Sequence, residues 1–254
     1  MSFKEGRLNE ASDILRDQKI FLPYPDMLND PFECKPHFSI SEGPKGLHKF
    51  RKRVLKLGRQ SGQTKKEATK MFTTYVSSRT PDQINEELSE TSHKTFKEIQ
   101  ICSLTRSWNN LLFWAHYADS HKGFCCEYDA KMSPFSEAFR VEYSNDYPTI
   151  TYPVDGSDVD KHLALMLIKS MDWRYENEYR IVSVPNTKLQ PRNDGKYLLL
   201  NGNELKTIYL GVNIDPDNKE FLIDQVKQGN QRPEILQCKL HKKSFKLDVD
   251  EVKY

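Results

Sequence analysis

The segment Trp173-Arg-Tyr-Glu-Asn-Glu-Tyr-Arg-Ile-Val182 places Glu176, Glu178 and Arg180 at two-residue steps and runs straight into an apolar stretch. Two residues is the period of a strand, in which alternate side chains share a face. An extended segment here lines one wall with two carboxylates and a guanidinium. Burying such a trio is costly unless the charges compensate one another or serve a site. The segment therefore reads either as a strand edge with solvated charges or as a polar site. In the second reading one glutamate bonds a ribose 2′-hydroxyl and stabilises an oxocarbenium-like transition state, while the other orients or deprotonates an acceptor. Arg180 then holds a phosphate through a paired hydrogen-bond fork or neutralises the glutamates.

A chain of 254 residues suits a single α+β domain over 1–254, with room for a helical insertion at 44–98. A net charge of +2 gives no global field for nucleic acid. Locally the balance shifts: Lys45 to Lys70 carries ten Lys or Arg against one Glu, and Lys239 to Lys246 is basic with no acid. The basic insert reads as a surface for a partner or a nucleic-acid backbone. No apolar run is long enough to span a membrane, and the start of the chain lacks an apolar signal core, so the protein reads as cytoplasmic with no membrane partner. Cys34, Cys102, Cys125, Cys126 and Cys238 form no CxxC pair, which argues against zinc and for buried reduced thiols.

Along the chain, the patterns predict a helix over Leu8–Asp17, a strand over Lys19–Tyr24, and a proline-broken turn to Pro31. A polar helical stretch follows from Gly46 to Gln100, interrupted at Gly58–Gly62. Strands are predicted over Ile99–Thr105, Phe124–Asp129, Arg140–Ser144, Tyr179–Val184, Lys196–Leu200, Thr207–Val212, Ile235–Leu240 and Phe245–Val249. Helices are predicted over Trp108–Ala118, over Asp158–Lys169 with Ser157 or Asp158 as cap, and over Asn218–Lys227. Strands and helices do not alternate regularly. That favours α+β, a twisted and mostly antiparallel sheet core, over a doubly wound parallel sheet.

Two further clusters stand out. Leu28-Asn-Asp-Pro-Phe-Glu33 is a stiff turn or a ligand-facing loop, in which Asn29 and Asp30 lie at the rim of a site and Asp30 or Glu33 holds a hydroxyl or a cation. Trp108 to Gly123 concentrates two tryptophans, two histidines and a tyrosine. Trp114, His116 and Tyr117 can form a wall suited to a nucleotide or nicotinamide ring, or simply fill a core. The HxxxxH spacing is no zinc pattern, and no metal site is expected. The absence of GxxxxGK[ST], GxGxxG, GxSxG and HExxH removes support for glycine-loop phosphate binding, serine hydrolysis and zincin chemistry.

Three ordered blocks together resemble DUF2971, a bacterial family: Leu28 to Glu33; Cys102-Ser103 through Trp114, His116, Tyr117, Lys122, Gly123 and Phe124; and Lys169, Trp173, Glu176, Glu178 and Arg180, with Leu210-Gly211 as a late strand and its glycine. More loosely, acid-x-acid running into a strand resembles the ADP-ribosyltransferase superfamily. That likeness implies an ADP-ribosyltransferase-like fold with NAD as substrate, Glu178 as the catalytic acid on the nicotinamide ribose and Glu176 as its partner. It also implies a toxin or anti-phage defence effector acting on a protein or nucleic-acid acceptor. Two other expectations stay open. One is a Mg²⁺-dependent nuclease or phosphodiesterase using Asp30, Glu33, Glu176 and Glu178. The other is a non-enzymatic module that binds a partner through its basic insert.

Overall fold

Apolar stretches punctuated by proline and glycine give short strands, from two to seven residues long. A computed structural model of the protein describes residues 8–41, 43–152 and 159–254. The chain begins with α1 (Leu8–Leu15), β1 (Lys19–Phe21) and β2 (His37–Ile40), then the helices α2 (Gly43–Gln60), α3 (Lys65–Ser77) and α4 (Pro81–Phe96). Next come β3 (Gln100–Thr105), α5 (Leu111–Tyr117), β4 (Phe124–Tyr128), β5 (Phe139–Arg140), β6 (Glu142–Ser144) and β7 (Thr149–Tyr152). The last part holds α6 (Val159–Met166), β8 (Ile168–Ser170), β9 (Glu178–Ser183), β10 (Tyr197–Leu199), β11 (Leu205–Leu210), α7 (Pro216–Gln228), β12 (Glu234–Leu240) and β13 (Leu247–Glu251). The class is mixed α and β, with several small sheets in which antiparallel pairs predominate. Among the described residues no helix is long and apolar enough to cross a membrane.

The chain folds as two compact units. The first comprises 1–24, 99–141 and 172–254, and the second 25–98 and 142–171. In the first, a four-stranded sheet runs β13-β12-β11-β4, with β11 parallel to β12 and the other pairs antiparallel. The parallel pair requires a crossover, which α7 supplies. Alternation along β11 divides two cores. Ile208 and Leu210 pack against Leu15 of α1 and Leu222 and Val226 of α7, while Tyr209 packs with Trp114 and Ala118 near α5. Beside it, β9 is the centre of a sheet ordered β3-β9-β5, whose Cys102 and Ile181 bury against Leu22, Leu198 and Leu200.

The second unit holds the parallel pairs β2-β7 and β6-β8 and the three helices α2, α3 and α4, joined by Phe50, Phe72 and Ile84. Thr64 and Glu67 cap α3 reciprocally, and Gly62 (φ +85°) makes the turn between α2 and α3. The outer edge of β2 is paired with side chains. Asn85 Oδ1 accepts from the Ile40 N–H at 2.9 Å, Ser89 Oγ accepts from the Phe38 N–H at 2.9 Å, and His93 Nε2 lies 2.9 Å from the Pro36 carbonyl. Four helical residues rise roughly 6.0 Å, and two strand residues roughly 6.6 Å. This near match lets α4 run alongside β2 rung by rung.

Several predicted boundaries move. The predicted strand Arg140–Ser144 is two strands, because β5 pairs with β9 while β6 pairs with β8. The predicted helix to Lys169 stops at Met166, because Ile168 to Ser170 join β6. The predicted helix from Trp108 starts at Leu111, because the Asn110 side chain caps it by accepting from the N–H groups of Leu112 and Phe113. Strands β2 and β7 are additional to the predicted elements. Ser157 and Asp158, the expected cap of α6, lie outside the described residues.

Candidate functional site

The glutamates sit where a turn meets a strand. Met171 to Glu176 form a 3₁₀ turn, and β9 begins at Glu178. Asn177 between them has φ 45°, a left-handed conformation that asparagine tolerates. The expectation of one extended wall is therefore corrected: Glu178 and Arg180 share a face of β9, whereas Glu176 precedes the reversal and points its own way. All three are buried, at 3 %, 3 % and 0 % relative exposure for Glu176, Glu178 and Arg180.

Arg180 grips Glu178 by a fork, Nε to Oε1 at 2.8 Å and Nη2 to Oε2 at 3.1 Å. Two parallel charge-assisted bonds fix both planes and offset the cost of taking the ions out of water. Glu176 is held differently. The Tyr117 hydroxyl donates to its Oε1, and the Thr105 hydroxyl donates to its backbone carbonyl at 2.7 Å. The Asn110 side-chain amide, besides capping α5, donates to the Tyr175 carbonyl at 2.6 Å. Two contacts thus tie α5 to the 171–176 turn, joining sequence blocks about sixty residues apart.

A chain of rings borders this junction. Phe113 lies 4.8 Å from Tyr117, Tyr117 6.4 Å from His116, His116 5.9 Å from Tyr175, and Tyr175 6.2 Å from Trp173. His116 is exposed and the other four are half-buried. Trp114 takes a different part. At 2 % exposure it packs with Tyr209, Cys238 and Leu247, and its indole N–H donates to the Trp108 carbonyl at 2.6 Å. Phe113, Trp173 and Tyr175 complete the ring chain, and sequence reasoning had not singled them out as site residues. The available signal was that aromatic residues alternate with the charges of the 173–180 motif.

Behind α5 the chain makes a left-handed turn: Asp119, Ser120 and His121 have φ 48°, 54° and 67°. Such backbone costs about 1–2 kcal/mol per residue. Its polar groups are satisfied by the Gly123 N–H on the Ala118 carbonyl (2.8 Å) and the Asn213 N–H on the His121 carbonyl (3.0 Å). The His121 ring stacks on Trp114 at 6.2 Å, and burial lowers its pKa.

Asn29 and Asp30, the expected rim residues, lie in the second unit, with Asp30 buried and accepting the Phe32 N–H at 2.9 Å. Glu33 and Lys169, both buried, approach within 3.5 Å in that unit. Among the described residues no three His, Cys, Asp or Glu side chains form a group that could hold a metal ion.

All five cysteines are free thiols, with Cys34, Cys102 and Cys238 buried. Burial pushes Cys102, Cys126 and Cys238 up to about 12, with the Glu178 charge adding to Cys102 and that of Cys125 to the other two. Thiolate is the reactive form, so these three should resist a disulfide reagent at pH 8 in the native protein and react once denatured. Rapid native labelling of all five cysteines would contradict this packing.

A comparison of the chain with family models, with curated proteins and with solved structures returns no match.

Proposed function

We propose that the first unit carries an ADP-ribosyltransferase-like site that uses NAD as substrate. The observation that carries this reading is the Tyr117 hydroxyl bound to the Glu176 carboxylate, which sets the aromatic helix beside the first of the two glutamates. Buried carboxylates beside half-exposed rings suit a ribosylated nicotinamide: the rings offer stacking surface, and the carboxylates offset positive charge growing on the sugar. In the reaction the bond between ribose C1′ and the nicotinamide nitrogen breaks, and nicotinamide leaves with the electron pair. An acceptor nucleophile then attacks C1′ and gives up its proton. Glu178 is the acid on the ribose 2′-hydroxyl, and Arg180, with both fork nitrogens on it, is the clamp that aims it. Glu176 and Tyr117 orient the acceptor or take its proton, His116 and Tyr117 face the nicotinamide, and Trp114 supports α5 from the core. The resemblance to DUF2971 and to ADP-ribosyltransferases extends the proposal to an effector or toxin role in anti-phage defence.

The test is nicotinamide release from NAD by the purified full chain and by two variants. Glu178→Gln should lower the rate about 10²-fold or more, the usual effect of losing one electrostatic stabiliser. Tyr117→Phe should lower it by a smaller factor. Circular dichroism verifies that both variants are folded. A folded Glu178→Gln protein with wild-type turnover would refute the assignment.

A further inference from the structure

We propose that the outward face of α2 binds the phosphate backbone of duplex nucleic acid, independently of any NAD chemistry. Lys45, Lys49, Lys52, Lys56 and Arg59 follow one another at steps of four, three, four and three. Those steps trace a single stripe along a helix. All five are exposed. Phe50 and Val54, on the opposite side, pack against Phe72 and Ile84. The stripe therefore faces away from the core of its unit, with Arg51 and Arg53 beside it.

Nothing in the helix neutralises these charges. Its sequence holds no acidic residue, its first turn has none, and among the described residues no ion pair involves any of the stripe's cations. Like charges three or four apart destabilise a helix by a few tenths of a kcal/mol each. A lysine in the first turn also opposes the helix dipole. The stripe thus works against the stability of the helix that carries it, where a solvated face serving only solubility would interleave glutamates. A partner with a regular row of negative charges reverses that sign. Fourteen residues of rise give the stripe a length of roughly 21 Å, the distance spanned by about six phosphates of one duplex strand.

An anionic membrane fits less well. Interfacial helices bury an apolar face in the lipid, and here that face is occupied by α3 and α4. Acidic residues on α4 (Asp82, Glu86, Glu87 and Glu90) supply a complementary charge within the chain itself, which makes self-association an outcome to be read.

The experiment is fluorescence anisotropy of a labelled DNA duplex of about 20 base pairs, titrated with the full chain at several salt concentrations. Wild type should bind at about 50 mM salt, with log K falling linearly in log salt. The triple variant Lys49→Ala, Lys52→Ala, Lys56→Ala keeps the helix and should bind at least ~10-fold more weakly, its salt slope shallower by about 2.7 for three lost phosphate contacts. Three results overturn the proposal: no duplex binding by wild type up to about 100 µM, the weak end of non-specific affinity; an unchanged affinity and slope in the triple variant; or tighter binding to phosphatidylserine vesicles than to duplex. A salt-sensitive dimer seen by light scattering, with no duplex binding, also overturns it and assigns the stripe to a second copy of the chain.

Discussion

Arg180→Leu lowers the unfolding free energy by about 3–5 kcal/mol, read from the shift in the midpoint of urea denaturation at constant slope. The size follows from what is left behind. Glu178 is 3 % exposed and receives two guanidinium N–H groups through the fork. With leucine at position 180 that carboxylate keeps its burial and loses both donors of the fork, and removing charge-assisted donors from a buried charge is among the larger single-residue defects. The pair is also coupled. Glu178→Leu with Arg180→Leu should be less destabilised than the sum of the two single changes, by about 1–3 kcal/mol in a double-mutant cycle. If Arg180→Leu unfolds within about 1 kcal/mol of wild type, the fork is solvated in solution and cannot aim Glu178 at a sugar.

Gly211→Ala is the second large effect, about 3 kcal/mol or a fall in melting temperature of roughly 6–12 °C. A β-carbon at this position would stand 2.1 Å from the His121 carbonyl oxygen and 2.8 Å from that of Gly123. Both obstacles are backbone, in the left-handed turn that follows α5, so no side-chain rotation relieves them. The end of β11 must move off the turn, breaking the Gly211 N–H bond to Gly123 (2.9 Å) and disturbing the stack of His121 on Trp114. The near-ultraviolet dichroism of the tryptophans should change with it. A variant that melts within about 2 °C of wild type would mean that the turn and the strand are not packed this closely.

Most strands and the long helices were legible because their signal is local. The stretches around Ile181-Val182, Ile208 to Leu210 and Ile235 to Leu240 are rich in apolar residues, and the spacing of Phe50 and Val54 is helical. The failures came from pairing. Nothing local to Arg140–Ser144 tells that its two ends join different sheets, and nothing in Ile168 to Ser170 tells that a parallel partner, β6, draws these residues out of a helix. At the candidate site the charges were legible as a group. Their directions were not, because the positive φ of Asn177 reverses Glu176 relative to Glu178 and only the folded backbone reveals it. Trp114 shows the converse: its aromatic neighbours suit a ligand-facing wall as well as a core, while the residues that bury it, Tyr209, Cys238 and Leu247, come from strands or their ends far along the chain.

The rungs from Asn85, Ser89 and His93 to the margin of β2 have a consequence for anyone trimming this chain. A loop-like embellishment can be excised and its ends rejoined; α4 cannot, because it stands in for a missing neighbouring strand. Cutting it away would leave the Phe38 and Ile40 amides as a bare template on which another polypeptide could add itself. A minimised version of the protein is therefore expected to form β-linked aggregates unless those amides are capped by some other means.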